Sequence, residues 1–181
     1  MKVTTTKLAG VLIIEPKVFG DTRGFFKEAF QVDRYREIGV DVPFVQENHS
    51  RSHQGVLRGL HLQKNRPQGK LVSCSFGSIF DVVVDVDPNS ITFSQHFSIE
   101  LSDENHLQLW IPPGYAHGFC VTSEIADFQY KCTDYYFPED EFGVVWSDSD
   151  LAIDWPILDP LVSDKDLALP RLNQGLVTGE L

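Results

Sequence analysis

Hydrophobic and polar positions alternate in short runs along much of the chain, which is the pattern of half-buried β-strands. The runs are rich in β-branched and aromatic residues and are separated by Gly, Pro, Asn, Asp and Ser. Strands are predicted over VLIIEPKVF (11–19), FFKEAFQV (25–32), KLVSCSFGSIFDVVVDV (70–86), TFSQHFSIEL (92–101), HLQLWIP (106–112), HGFCVT (117–122) and DFQYKCTDYYF (127–137). Many short strands joined by Gly and Pro turns indicate a mainly β sandwich or barrel.

Helical periodicity is weak outside one short segment. DRYREIG at 33–39 predicts a helix, with Asp33 as its N-cap and Gly39 as its stop. FGS at 76–78 predicts a tight hairpin turn, and the chain after Trp146 predicts loop and short helical turns laid across the outside. No repeat or linker divides the chain, so one domain over residues 1–181 is expected.

Composition narrows the classes of partner and compartment. The net charge of −11 argues against a nucleic acid as the main partner, although a local cation cluster still suits a small anionic ligand. The three cysteines are odd in number and form no CxxC pair, so reduced, buried thiols are expected. The early apolar run VLII at 11–14 is too short for a membrane span, which predicts a cytoplasmic protein with no membrane partner.

The first candidate for a functional site is GVLRGLHLQ at 55–63, where an arginine and a histidine interrupt an apolar strand. In a regular strand Arg58 and His61 point to opposite faces, because side chains alternate. Sheet twist or a bulge at Gly59 would instead bring both side chains to one pocket rim. The ordinary interpretation of His61 is a core histidine with satisfied ring nitrogens, and further motifs are needed to change it.

Two spacings resemble the halves of the cupin signature: Gly55 to His61, and Pro112 to His117 within PPGYAHGF. The resemblance implies a double-stranded β-helix, or jelly roll, with both histidines pointing into the barrel. A metal-binding cupin would carry another histidine two residues after the first, where this chain has Gln63. The nearby histidines at positions 49 and 53 are expected in a polar loop, so no metal site is predicted.

A longer series of motifs resembles one family, the dTDP-4-dehydrorhamnose 3,5-epimerases. The matching segments run in family order from about residue 15 to about residue 170: EPKVFGDTRGFFKEAF, FVQENHS, GVLRGLHLQ, QGKLV, IFDVVVDV, QLWIPPGYAHGF, YKCTDYY and SDKDLALP. The resemblance implies a cofactor-independent isomerase that inverts C3 and C5 of a dTDP-linked 4-keto-6-deoxyhexose for dTDP-L-rhamnose biosynthesis. The departures are small: a slightly shorter loop after His61, and Leu62 in place of a common aromatic residue.

The resemblance also implies roles for four catalytic residues. His61 would be the base, since an unperturbed imidazole titrates near ~6.5 and is largely neutral at cellular pH. Asp166 would orient the ring and stabilise the imidazolium. Tyr130 would be the acid on the opposite face of the sugar, and Lys70 would hold the enolate charge at the C4 oxygen.

The remaining motif residues are expected to bind the nucleotide sugar. Arg23 and Arg58 suit the diphosphate because guanidinium groups match phosphate oxygens bidentately. The other candidates, for thymine, sugar and pocket lining, are Glu28, Gln46, Glu47, Asn48, His117, Glu141 and Lys165. By resemblance the RGFFKE strand crosses to a neighbouring subunit, so a homodimer is expected in which Arg23 and Glu28 serve the partner's ligand.

Three alternatives stay open at the level of sequence. A relative that epimerises only C3 or only C5 would use the same residues, and the shape of the pocket would decide between them. A metal-dependent cupin enzyme and a sugar-binding jelly roll without catalysis are more distant alternatives. The polysaccharide that finally receives the sugar is not determined by these motifs.

Overall fold

The computed structural model describes residues 1–178, so the last three residues of the predicted domain lie outside the described residues. The strands are β1 (Lys2–Thr5), β2 (Leu12–Glu15), β3 (Val18–Asp21), β4 (Gly24–Lys27), β5 (Gln46–His53), β6 (Leu57–Gln63), β7 (Lys70–Phe76), β8 (Ser78–Asp85), β9 (His96–Ser102), β10 (Gln108–Ile111), β11 (Tyr115–Val121), β12 (Ile125–Cys132) and β13 (Glu141–Gly143). The helices are α1 (Val32–Glu37), α2 (Asp164–Leu167) and α3 (Leu172–Thr178). None of these helices is long and apolar enough to cross a membrane.

The strands form two large antiparallel sheets and a separate hairpin. The six-stranded sheet has the order β1-β2-β10-β7-β12-β5, and the five-stranded sheet has the order β13-β6-β11-β8-β9. Strands β3 and β4 pair only with each other. Two opposed antiparallel sheets with short peripheral helices are the predicted mainly β jelly roll.

The apolar core has one layer between the sheets and another outside the five-stranded sheet. Val72 and Phe128 of the larger sheet pack with Val83 of the smaller sheet in the inner layer. Val82 and Val84 point the other way and join a second cluster. Because both faces of β8 are buried, its sequence is a continuous valine run rather than an alternating one.

The chain after Trp146 does more than lie on the surface, which corrects the sequence prediction. The predicted loop and short helical turns are present, but Leu151, Trp155 and Leu172 are buried in the second apolar cluster. This segment therefore covers the outer face of the five-stranded sheet. It also delivers α2, and with it Asp166, to the inside of the molecule.

Strand β5 is the largest error of the sequence-based assignment. The predicted polar loop around His49 and His53 is an eight-residue edge strand that pairs with β12 along its whole length. Its sequence, QENHSRSH, contains no aliphatic or aromatic residue that would produce a hydrophobic alternation. Backbone hydrogen bonds and a polar inner face hold this strand in place, and periodicity detects neither.

Two smaller predictions also need correction. The turn at Gly77 exists, with φ +71, but it carries the chain from the six-stranded to the five-stranded sheet and does not close a hairpin. A Cβ at Gly77 would lie 2.1 Å from the carbonyl oxygen of Ile125, so the close approach requires glycine. Helix α1 is capped by Gln31, whose side chain accepts from the Arg34 N–H at 2.8 Å, rather than by Asp33.

Candidate active site

A bulge in β6 brings Arg58 and His61 to the same cavity, one of the arrangements that the sequence left open. On β11, His117 is opposite His61, whereas Phe119 is opposite Arg58, so the register shifts by one residue between them. Gly59 occupies this shift with φ +122, and a Cβ there would lie 2.6 Å from the Cα of Gly118. The close contact of two glycine backbones therefore re-aims the side chains of β6.

The cavity lies between the two sheets and has a volume of about 750 Å³. Its walls combine apolar side chains such as Phe119 and Phe128 with many polar groups. Ten of the predicted site residues line it: Gln46, Asn48, Arg58, His61, Lys70, His117, Tyr130, Glu141, Lys165 and Asp166. Apolar walls combined with several convergent polar groups are typical of a ligand-binding site.

His61 and Asp166 form a hydrogen-bonded pair at the centre of the cavity wall. Asp166 Oδ1 lies 2.7 Å from His61 Nε2. Its other oxygen accepts the Gly59 N–H at 3.2 Å, and the Ser163 hydroxyl caps α2 by accepting the Asp166 N–H. Both carboxylate oxygens are therefore satisfied, and the carboxylate leaves Nδ1 as the ring nitrogen available for chemistry.

The charge of Asp166 is favoured despite its burial. The side chain is only 6% exposed, and burial acts to raise its pKa. The hydrogen bond and charge of His61, together with the Gly59 N–H, outweigh burial and lower the pKa of Asp166 below its usual value. The pair therefore combines an ionised carboxylate with an imidazole, the arrangement that stabilises an imidazolium.

Lys70 and Tyr130 enter the cavity from the six-stranded sheet, opposite His61. Lys70 opens β7 and donates to the His61 carbonyl oxygen at 3.4 Å. Burial lowers the pKa of Lys70 and raises the pKa of Tyr130 to about 12. Tyr130 therefore keeps its proton over the physiological range, and Lys70 is a buried amine with donor capacity left for a ligand.

Glu141 lies on the other side of the His61 ring. Its Oε1 is 3.6 Å from His61 Nδ1, and its Oε2 accepts from the Tyr136 hydroxyl and the Lys165 ammonium. Burial acts to raise the pKa of Glu141, but these two hydrogen bonds and the charge of His61 lower it overall. Strand β13 positions this carboxylate because Glu141 is paired with Gln63, two residues beyond His61 on β6.

His117 forms a second buried histidine–carboxylate pair that the sequence analysis missed. Its Nε2 lies 2.9 Å from Asp81 Oδ2, and its ring stacks on Phe128. Asp81 is fully buried, and its Oδ1 has no hydrogen-bond partner among the described residues. An acid in the middle of the apolar run IFDVVVDV was the signal that could have identified Asp81.

The residues proposed for the nucleotide are partly prearranged at the cavity rim. The Arg58 guanidinium donates to the Ser52 hydroxyl at 3.2–3.3 Å. Gln46 donates to the Asn48 side-chain oxygen at 3.0 Å and accepts the Tyr136 N–H at 2.9 Å. These contacts fix amide and guanidinium groups on neighbouring strands β5 and β6, ready for a polar ligand.

Three predicted binding residues lie outside the cavity of the single chain. Arg23 is on the turn of the β3–β4 hairpin and pairs with Asp21, while Glu28 pairs with Arg34 at 2.9 Å. Glu47 points to the opposite face of β5 from Asn48 and pairs with Lys131 at 2.7 Å. Glu47 lies outside the cavity because side chains alternate along β5. Arg23 and Glu28 lie outside it because they belong to, or directly follow, the separate β3–β4 hairpin.

Gln63, which stands where a metal-binding cupin carries a second histidine, has a structural role. Its amide donates to the carbonyl oxygens of Arg66 and Tyr135 and accepts the Phe137 N–H at 2.7 Å. The side chain thereby fastens the loop that carries Tyr136 into the cavity. Over residues 1–178 no group of three or more His, Cys, Asp or Glu residues is arranged to hold a metal ion.

Comparison with known proteins gives the same family along nearly the whole chain. The family model described as dTDP-4-dehydrorhamnose 3,5-epimerase matches residues 5–174. The dTDP-4-dehydrorhamnose 3,5-epimerase of Escherichia coli K12 is 51% identical over 177 residues, which is 96% of each chain. A crystal structure from Legionella pneumophila of dTDP-6-deoxy-D-glucose-3,5-epimerase, in complex with dTDP-4-keto-L-rhamnose, is 53% identical with a TM-score of 0.92, covering 95% of this chain and 93% of that one.

A further solved structure shares the fold, but that enzyme is described as an epimerase of one carbon only. The 3′-monoepimerase of Streptomyces bikiniensis, in complex with dTDP-quinovose, is 33% identical with a TM-score of 0.93, covering 97% of this chain and 90% of that one. The jelly-roll fold predicted from the sequence is therefore confirmed by similarity as well as by topology. By the extent of the family match and the identity to its members, this chain belongs to the dTDP-4-dehydrorhamnose 3,5-epimerase family.

Proposed function

We propose that this protein is an isomerase that inverts C3 and C5 of dTDP-4-dehydro-6-deoxy-D-glucose and gives dTDP-4-dehydro-L-rhamnose. Family membership supports the reaction, and the cavity between the sheets supports its chemistry. The protons on C3 and C5 flank the C4 ketone, so their removal gives a resonance-stabilised enolate. Inversion then needs a base on one face, an acid on the other, and positive charge near the enolate oxygen.

The residues of the cavity can supply all three requirements. His61 Nδ1 takes the proton from the carbon next to the ketone, and the electron pair of that C–H bond moves to the C4 oxygen. The ammonium of Lys70 stabilises the resulting negative charge, while Asp166 stabilises the imidazolium. The Tyr130 hydroxyl then donates its proton to the opposite face of the same carbon, which inverts the centre.

One observation carries this assignment: the proposed base and the proposed acid come from opposing sheets and line one cavity. His61 belongs to β6 of the five-stranded sheet, and Tyr130 belongs to β12 of the six-stranded sheet. A flat sugar enolate between them would have an imidazole on one face and a phenol on the other. A binding protein would have no need for an acid and a base in this arrangement.

The nucleotide would occupy the rim of the same cavity. Arg58 and Lys165 are the cations that suit the diphosphate, and Gln46 and Asn48 offer amide groups for the base or its sugar. The similar Legionella pneumophila enzyme is described with a bound dTDP-linked keto sugar, which supports the same ligand class here. The free, buried thiols of the chain agree with the predicted cytoplasmic, reducing location.

A homodimer is part of this proposal because the exposed hairpin would complete the site of a partner. Phe19, Phe25 and Phe26 on β3 and β4 are 53%, 58% and 68% exposed, which is an unusual amount of aromatic surface for one hairpin. Arg23 sits on the same hairpin and outside the cavity of its own chain. Docking of the hairpin on a second copy would bury the rings and bring Arg23 to the diphosphate of that copy.

A second candidate function is inversion at one carbon only, and the similarity to a 3′-monoepimerase supports keeping it. Incubation with dTDP-4-keto-6-deoxyglucose in deuterated water separates the two functions by proton NMR. Deuterium at both C3 and C5 is the expected result, together with dTDP-L-rhamnose formation when the downstream reductase is added. Deuterium at a single carbon would establish the monofunctional reaction, and no exchange would refute both.

The metal-dependent cupin alternative is tested on the same protein. Activity is expected to survive dialysis against a chelator, because the proposed steps use side chains alone. Stoichiometric iron, manganese or zinc in purified protein, with loss of turnover on its removal, would favour the metal enzyme instead.

A further inference from the structure

Glu141 connects the proposed base to groups at the mouth of the cavity. Its side chain is 11% exposed and approaches His61 Nδ1 at 3.6 Å through Oε1. The other oxygen accepts from the hydroxyl of Tyr136, which is 46% exposed, and from the ammonium of Lys165, whose side chain is 58% exposed. Glu141 thus has one oxygen facing the base and one facing groups that reach solvent.

The proposed reaction creates a need for such a connection. Each inversion leaves His61 with an additional proton and Tyr130 without its own. A second inversion, at the other carbon or in the next substrate, cannot start until both groups return to their initial states. The proton on Nδ1 must therefore leave the imidazole, which is partly buried at 27% exposure.

We propose that Glu141 carries the abstracted proton from His61 to solvent and so resets the base after each inversion. The proposal rests on the function proposed above. The proton passes from His61 Nδ1 to Glu141 Oε1 and then to a water molecule, giving hydronium and restoring the Nδ1 lone pair. The Tyr130 phenolate takes a proton from another water molecule, and the hydroxide and hydronium neutralise each other. One proton leaves His61 and one enters Tyr130, so both groups regain their starting protonation states.

The separation of 3.6 Å between Nδ1 and Oε1 fits this role. While Asp166 holds the proton of the neutral ring on Nε2, Nδ1 and the carboxylate oxygen are both acceptors and have no hydrogen bond to form. Nδ1 is then free to accept a proton from carbon. Once Nδ1 is protonated, the same pair becomes a charged donor and a charged acceptor, which attract each other strongly. The contact closes only after the abstraction step.

The surroundings of Glu141 favour passing the proton on rather than storing it. Hydrogen bonds from Lys165 and Tyr136 stabilise its carboxylate and help to lower its pKa against the effect of burial. A proton that reaches Glu141 is therefore released to water readily. Asp166 is the other carboxylate lining the cavity among residues 1–178, and both of its oxygens are already engaged, with His61 and the Gly59 N–H.

The time course of inversion by Glu141→Gln tests the proposal. With substrate in excess and rapid quenching, this variant is expected to show a burst of one inverted carbon per active site, followed by a phase at least about tenfold slower. The burst is the first abstraction and reprotonation, and the slow phase is limited by reset of His61. The wild-type enzyme is expected to show no burst. Formate is expected to remove the burst from Glu141→Ala by replacing the missing carboxylate.

Tyr136→Phe is the matched control, because it removes a hydrogen bond to Glu141 and keeps the carboxylate beside His61. If Glu141 only held its neighbours in place, both variants would behave alike, whereas the proposal expects at most a small burst from Tyr136→Phe, because Lys165 still stabilises the carboxylate. Absence of a burst in Glu141→Gln, or an equal burst in Tyr136→Phe, would overturn the role. If Glu141→Gln does not fold, Glu141→Asp replaces it, with a smaller burst expected because the oxygen lies farther from Nδ1. A wild-type enzyme that inverts no carbon would refute the proposed function instead.

Discussion

Asp166 Oδ1 lies 2.7 Å from His61 Nε2, although 105 residues separate the two in the chain. The contact joins β6 of the five-stranded sheet to α2, which belongs to the segment that covers the outer face of that sheet. Ser163 caps that helix, and the N–H of Gly59 in the β6 bulge holds the second carboxylate oxygen. The same bulge that aims His61 into the cavity therefore also orients its carboxylate partner.

Replacement of His61 is expected to remove turnover while preserving nucleotide binding. His61→Asn keeps the size of the side chain and loses the base, so kcat should fall by roughly 10²–10⁴-fold or more. Calorimetric titration with dTDP should give an affinity close to that of the wild type. His53→Asn is the matched control, since His53 is exposed on β5 and does not line the cavity. Near-normal turnover by His61→Asn would contradict its assignment as the base.

Asp166→Asn should affect both catalysis and acid stability. Because the pKa of Asp166 is lowered in the folded chain, its ionised form adds stability above the usual aspartate pKa of about 3.9. That contribution is lost as the pH falls through the lower folded-state pKa. Urea unfolding between pH 2 and 6 should therefore show a smaller acid dependence in Asp166→Asn than in the wild type. An identical pH dependence of stability in both proteins would contradict this prediction. The kcat of Asp166→Asn should also fall below that of the wild type.

The alkaline decline in activity is expected to belong to Lys70 rather than to Tyr130. Burial lowers the pKa of Lys70, whereas it raises the pKa of Tyr130 to about 12. As the pH rises through the lowered pKa, Lys70 loses the charge that stabilises the enolate, and the rate falls. Lys70→Met should lower kcat by roughly 10²–10³-fold and flatten the profile above neutral pH. A profile for Lys70→Met with the wild-type decline would assign it to another group.

Gln63 is expected to stabilise the loop that closes one side of the cavity. Gln63→Leu leaves the carbonyl groups of Arg66 and Tyr135 and the N–H of Phe137 without their partner. We expect a loss of about 2 kcal/mol in the free energy of unfolding, measured by chemical denaturation. Gln54→Leu is the control, because Gln54 is exposed and should change stability by less than about 0.5 kcal/mol. Equal stability of the two variants would remove this role.

The hairpin proposal predicts complementation between two inactive proteins. Arg23→Ala and His61→Ala variants are each expected to be nearly inactive when pure. After subunit exchange, a mixed dimer has one site with an intact His61 and an intact partner Arg23. Random exchange should restore about a quarter of wild-type activity, because half of the dimers are mixed and each has one intact site. A fully active monomer in light scattering, or no recovery on mixing, would contradict the shared site.

Several features of this protein followed from the sequence because they depend on local patterns. The β-strands appear as runs of alternating or continuous apolar residues, and the strand through Val82, Val83 and Val84 is the strongest of them. Gly59 allowed a bulge, and the register of β6 contains one. The order of motifs around His61, Lys70, Tyr130 and Asp166 identified the family, because these residues are present for the reaction rather than for their folding propensity.

Other features were decided only by the tertiary structure, because they depend on residues that are distant in the chain. Strand β5 is held by its ladder with β12 and has no hydrophobic period of its own. Asp81 becomes the partner of His117 only when β8 and β11 pair, and Glu141 reaches His61 only through the pairing of β13 with β6. Sequence periodicity describes which face of a strand is buried, whereas strand register and chain crossing determine which side chains meet in the cavity.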